Sequence, residues 1–95
     1  MAYEVVLKPS AARELRKLAK PIQKRIGKKI DELADNPRPP DAKALAGGEG
    51  FLRVRAGDYR IVYKVKDQVL IVLVIRIGHR RDIYRGITSR TRKKG

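Results

Sequence analysis

The residues able to do chemistry in this chain fall in two clusters. Arg53 and Arg60 flank the dipeptide Ala56-Gly57, and Gly78-His79-Arg80-Arg81-Asp82-Ile83-Tyr84-Arg85 follows a long apolar run. Guanidiniums grip phosphate bidentately and keep their charge at any physiological pH. They also stabilise negative charge that builds in a transition state. Tyr84 adds a phenol and His79 an imidazole. This set suits one reaction well. RNA carries its own nucleophile, the 2′-OH. An enzyme that uses it has only to remove that proton, hold the phosphate, stabilise the added charge and protonate the leaving 5′ oxygen. No metal is obligatory for this, and DNA, lacking the 2′-OH, is not a substrate. The general base is open between two residues. Neighbouring cations favour the phenolate form of a tyrosine such as Tyr84, whereas imidazole is by nature suited to proton transfer near neutrality. Each group also has a plainer role: solvated arginines, a packing tyrosine, a structural histidine.

Composition narrows the partner. The chain has 95 residues, with 24 Lys plus Arg against 10 Asp plus Glu and a net charge of +14. That length supports one domain with a modest core. So much self-repulsion in a compact chain calls for a polyanion or an acidic partner. Nucleic acid comes first and an anionic membrane surface second. The longest apolar run, Val69 to Ile75, is too short to span a bilayer. Met1-Ala2-Tyr3-Glu4 opens no secretory pattern, so a cytoplasmic location with no membrane partner is expected. There are no cysteines, which excludes disulfides, thiol catalysis and cysteine-bound zinc. One His and few carboxylates offer little to any metal, so no metal or other cofactor is expected. One Phe and no Trp give weak support to a module that binds single strands by stacking alone.

Positioning these clusters requires a scaffold. Tyr3 to Leu7 read as a short strand, and Pro9-Ser10 then begins a helix with Ser10 as N-cap. Pro21 suits the first position of a second helix. There Ile22, Ile26, Ile30 and Leu33 recur on one face. Gly27 in mid-helix suggests a close helix–helix approach. Asn36-Pro37-Arg38-Pro39-Pro40 ends the helical pair, and a loop carrying Lys43 runs to Gly50. The period then becomes two, giving strands over Phe51 to Arg55, Asp58 to Lys66 and Val69 to Ile77. The last is apolar on both faces and so belongs in the centre of the sheet. The expected fold is α+β: two N-terminal helices packed on a largely antiparallel sheet of about four strands, with a short C-terminal helix. Residues 1–87 form one domain and 88–95 a basic flexible tail.

Hairpin geometry gives a sharper expectation. A two-residue turn at Ala56-Gly57 pairs Arg55 with Asp58, Val54 with Tyr59, Arg53 with Arg60 and Leu52 with Ile61. Arg53 and Arg60 then lie directly opposite each other. Like charges so placed cost from tenths of a kcal/mol to about 1 kcal/mol, and an anion bound between them would relieve that cost. Two solvated arginines on an open face are the alternative.

These residues carry a family resemblance. Asp58-Tyr59-Arg60-Ile61-Val62-Tyr63 and Ile77-Gly78-His79-Arg80-Arg81-Asp82-Ile83-Tyr84, with the opening Met1-Ala2-Tyr3 and the helix pair, resemble the RelE branch of the RelE/ParE toxin superfamily. The resemblance runs from Tyr3 to about Arg85. It implies the toxin of a type II toxin-antitoxin system, a metal-independent endoribonuclease that cuts mRNA in the ribosomal A site by 2′-OH attack. It also implies Arg53, Arg60, Arg80 and Tyr84 as site residues, the ribosome as a partner, and a RelB-like antitoxin that neutralises the basic cleft. The chain departs from the pattern in two places. Phe51 stands where some members have lysine, and the Arg80-to-Tyr84 spacing is shorter than in the best-known type. The base therefore stays open between Tyr84 and His79. Arg16, Lys17, Lys20, Lys24, Arg25, Lys28 and Lys29 on the helices are expected to dock on ribosomal RNA, with Lys43, Arg55 and Arg81 adding phosphate contacts. A solvated helix surface is the plainer reading. A ParE-like toxin acting on DNA gyrase would share the fold without needing the arginine–tyrosine cluster, and a non-catalytic RNA-binding module would use the charge alone.

Overall fold

In the computed structural model, residues 2–45 and 50–83 are described. The elements run β1 (Glu4–Leu7), α1 (Pro9–Arg16), α2 (Lys20–Asp35), β2 (Lys43–Ala44), β3 (Leu52–Ala56), β4 (Tyr59–Lys66) and β5 (Ile71–His79). They form one five-stranded sheet in the order β1-β5-β4-β3-β2. β1 runs parallel to β5, and the other neighbours are antiparallel. The α+β class agrees with the sequence reading, but the middle strand is β4, and β5 lies between two strands only along the part that β1 covers. The sheet is mixed, however, and has a fifth strand. β2 is two exposed residues long, too short to carry a period. The expected C-terminal helix and the tail 88–95 lie outside the described residues.

The helical stripe packs as its spacing requires. Ile26, Ile30 and Leu33 of α2 and Ala11 of α1 join Val54, Ile61, Tyr63, Val72, Val74 and Ile77 in one core, with Ile22 partly buried against it. Each fully buried Ile or Leu contributes roughly 1.5–3 kcal/mol. Both helices therefore cover the same face of the sheet. The Tyr63 hydroxyl donates to Pro37 O at 2.6 Å, and burial pushes this phenol up to about 12. Gly27 has nothing within 4 Å of where a Cβ would stand, so it makes no close helix contact.

α1 does a second job at the sheet edge. β1 stops at Leu7, opposite Val74, and leaves the rest of β5 without a strand neighbour on that side. Lys8 N–H donates to Val74 O, Ser10 Oγ to Ile75 O, and Ile77 N–H to Glu14 Oε1 at 2.8 Å. Glu14 Oε2 also accepts from Arg76 Nε at 3.0 Å. Side chains of the helix thus replace the missing ladder. This corrects the capping expectation: Lys8 occupies the N-cap, and Ser10 sits inside α1 and serves the sheet.

β5 also contains a bulge. Val62 pairs with Arg76, but Tyr63 pairs with Val74, leaving Ile75 as an extra residue. One inserted residue reverses the facing of everything beyond it. Val72 and Val74 face the helices before the bulge, and Ile77 and His79 do so after it.

Candidate active site

The β3–β4 turn is centred on Gly57-Asp58, one residue later than expected. Ala56 pairs with Tyr59, Arg55 with Arg60, Val54 with Ile61 and Arg53 with Val62. Gly57 has φ +64°, as the first central position of a II′ hairpin turn demands, and only glycine takes it without strain. The like-charge pair is therefore Arg55 with Arg60. Arg53 lies diagonal to Arg60, at roughly 7–8 Å between side-chain origins.

The register brings four cations to one face. Lys43 pairs with Arg53, and Arg55 pairs with Arg60. All four alternate with the core-facing Val54, Ala56 and Ile61, so they occupy the side of the sheet away from the helices. Arg60 is half-buried and held in place: its Nη1 donates to Gly57 O and Tyr59 O, each at 3.2 Å. Arg53 is half-buried, and Lys43 and Arg55 are exposed.

Arg80 approaches the same turn from β5, its N–H donating to Asp58 O at 2.8 Å. Beyond it the chain reverses. Asp82 and Ile83 both donate their N–H to His79 O. Ile83, 1% exposed, returns over Gly78, the residue paired with Arg60. A Cβ at Gly78 would lie 3.2 Å from Ile83 Cδ1. A side chain at Gly78 would therefore crowd Ile83 on the cation face. A glycine within a strand is the sequence signal for such a contact. Tyr84 lies outside the described residues, as does any contact it makes.

His79 departs from the expected grouping. It pairs with Tyr59, which packs against the core, and the two rings meet edge to face at 5.5 Å and 81°. Its side chain is therefore on the helix side of the sheet, opposite Arg53 and Arg60, because of the bulge at Ile75.

Among the helical cations, Arg16, Lys17, Lys20, Lys24, Arg25 and Lys28 are exposed. Lys29 is taken up internally, bridging Asp41 at 3.0 Å and Glu32 at 3.8 Å. The Lys29 ammonium holds the Asp41 carboxyl below the usual carboxylate range. Arg25 reaches the β3–β4 turn: a Cβ at Gly57 would lie 2.6 Å from its Nη1. A cleft of about 270 Å³ lined by Arg25, Lys28, Lys29, Glu32 and Ala56 opens beside it. Arg25 thus brings a helix cation to the turn that carries Arg60, although Glu32 in the cleft and the exposed Asp58 interrupt the positive charge. Arg81 is exposed and tied by its N–H to His79 Nδ1 at 3.2 Å.

A separate polar cluster closes the other end of the sheet. Arg38 grips Asp67 with both guanidinium nitrogens, at 3.1 and 2.8 Å, and the Tyr3 hydroxyl donates to the same carboxylate at 2.7 Å. The Arg38 hydrogen bonds first, then that of Tyr3, bring Asp67 down to about 2.

Comparison with known proteins gives consistent results. Residues 5–84 match the family model of the ParE toxin of the type II toxin-antitoxin system parDE. The chain is 36% identical over 95 residues to a RelE-like toxin protein of Escherichia coli, covering 97% of this chain and all of that one. It is 34% identical over 82 residues to the mRNA interferase toxin RelE of Escherichia coli strain K12, covering 84% and 85% of the two chains. The crystal structure of the toxin-antitoxin complex RelBE2 from Mycobacterium tuberculosis contains a similar fold. Its TM-score is 0.74 at 27% identity, covering 83% of this chain and 99% of that one.

Proposed function

The chain belongs to the RelE/ParE superfamily of type II toxin-antitoxin toxins, and on that footing we propose that it is a ribosome-dependent endoribonuclease that cuts mRNA in the A site by 2′-OH attack. The observation that carries this reading is the placing of Lys43, Arg53, Arg55 and Arg60 on one sheet face. Such a concentration of like charge is unfavourable in the free protein and favourable around a phosphate backbone. The mRNA interferase name of the K12 relative supports the same activity.

In this mechanism Arg60, its guanidinium braced by the turn carbonyls, holds the scissile phosphate. Arg53 contacts the same or the adjacent phosphate, and Arg80 closes from the end of β5. Together they stabilise the charge added as the 2′ oxygen attacks. Tyr84 takes the 2′-OH proton; as the 2′ oxygen bonds to phosphorus the bond from phosphorus to the 5′ oxygen breaks, leaving a 2′,3′-cyclic phosphate and a 5′ oxygen that takes a proton from water. The exposed helical cations, of which Arg25 reaches the turn beside this face, dock on ribosomal RNA. Lys43, Arg55 and Arg81 add phosphate contacts. The reaction needs no cofactor and takes place in the cytoplasm. A RelB-like antitoxin, of the kind found with the mycobacterial relative, would restrain it by covering the cationic face.

Single-turnover cleavage of A-site mRNA tests this. Arg60→Ala is expected to lower the rate about 10²–10³-fold. Its melting temperature should change little, since the lost bonds to Gly57 O and Tyr59 O offset the relief of the Arg55–Arg60 repulsion. Tyr84→Phe should impair cleavage and leave ribosome binding nearly intact. Full-rate cutting by Arg60→Ala would refute the site. The ParE description of the matching family supports a second reading, inhibition of DNA gyrase. Under it, induction of the chain stops thymidine incorporation before methionine incorporation; the nuclease reading requires the reverse order.

A further inference from the structure

His79 is placed to organise the turn that follows β5. Arg81, Asp82 and Ile83 all direct their N–H groups at it: Arg81 to the ring Nδ1 at 3.2 Å, Asp82 and Ile83 to the main-chain oxygen at 2.8 and 2.9 Å. The ring bond spans i to i+2, the geometry by which Asn and Asp side chains shape turns. The turn contains Arg80, anchored on Asp58 O, and returns the chain across the sheet edge so that Ile83 seats over Gly78 on the cation face. Tyr59 packs edge-on against the imidazole and fixes its plane.

The same geometry argues against His79 as a base. A neutral imidazole has one nitrogen lone pair, and the other nitrogen carries the proton. Here that lone pair, on Nδ1, already accepts the Arg81 N–H. Taking a proton would break the turn, and the ring faces away from Arg53 and Arg60.

We propose that His79 is a positioning residue of the cleavage site: its Nδ1 locks the Arg80-Arg81 turn and brings the chain back over Gly78 immediately before Tyr84. This rests on the cleavage reading above. The test exploits two isosteres. Asn places its side-chain oxygen where Nδ1 lies, and Gln places it where Nε2 lies. His79→Asn is expected to keep cleavage within about threefold of wild type and to keep the Arg81 amide protected from hydrogen exchange. His79→Gln is expected to lose about 100-fold in single-turnover rate, the scale on which a misplaced catalytic group costs. Its Arg81 amide should exchange roughly tenfold faster, at an unchanged melting temperature. Loss of cleavage in His79→Asn equal to that in His79→Gln, with Arg81 still protected, overturns the proposal in favour of a proton-transfer role. Full-rate cleavage by His79→Gln, or wild-type protection of Arg81 in it, also overturns it. If the wild-type chain cuts no A-site mRNA, the cleavage reading falls, and the exchange measurement alone decides whether His79 holds the turn.

Discussion

Removing the Glu14 side chain should unpin β5, the strand that leads into Arg80. Glu14 Oε1 accepts the Ile77 N–H at 2.8 Å, and Oε2 accepts from Arg76 Nε at 3.0 Å. Ile77 is 1% exposed, and β1 has already ended at Leu7, so no strand is there to replace the lost acceptor. A stranded, buried N–H costs about 1–3 kcal/mol. The ion pair adds less, because both side chains are 29% exposed and solvent screens them; about 0.5 kcal/mol is reasonable. Glu14→Ala should then cost about 2 kcal/mol, a fall in Tm of about 8–16 °C for a domain of this size. Glu14→Gln keeps an oxygen for Ile77 and loses only the charge, so it should cost about 0.5 kcal/mol, the same as Arg76→Gln. Thermal melts of the three variants, with amide exchange read at Ile77, make the measurement. Ile77 should exchange faster in Glu14→Ala and keep its protection in the other two. If Glu14→Ala and Glu14→Gln melt together, the helix side chain does not complete the sheet edge and the reasoning fails.

Two further outcomes follow from the geometry. Gly78→Leu should displace Ile83, since even a Cβ would stand 3.2 Å from Ile83 Cδ1; the expected result is a loss of A-site cleavage larger than the loss in Tm, and an unchanged rate would show that the Ile83 closure is irrelevant to activity. Asp67 has its folded-state pKa lowered to about 2 by Arg38 and Tyr3, so its contribution to stability is complete above the ordinary carboxylate pKa of about 3.9 and lost as pH falls toward about 2; carboxyl NMR should place its midpoint in that low range, and Arg38→Gln should move it upward.

How much of this was legible in the sequence differs element by element. The α2 stripe of Ile26, Ile30 and Leu33 follows from periodicity, because burial selects residue type directly. The family resemblance was legible in Tyr59 to Tyr63 and Ile77 to Tyr84, because such motifs are read in series along the chain. The basic character of the chain was legible because charge needs no fold to be counted. The hairpin register was not. Moving the turn centre from Ala56-Gly57 to Gly57-Asp58 shifts every partner by two residues, so the same apolar residues stay on the same face. The apolar pattern fits both registers equally, and a glycine at position 57 suits either turn; only the folded pairing of Ala56 with Tyr59 decides between them. The facing of His79 was hidden for a related reason. One extra residue at Ile75 reverses the alternation beyond it, and it lies in the stretch of β5 where α1, through Ser10 and Glu14, takes over from β1. The neutralisation of Lys29 depended on a loop bringing Asp41 to a helix. Composition, period and motif are properties of residues taken singly or in series, and these the chain states by itself. Which arginine faces which, and which side of the sheet a histidine occupies, depend on contacts between residues distant in sequence, and those only the folded structure decides.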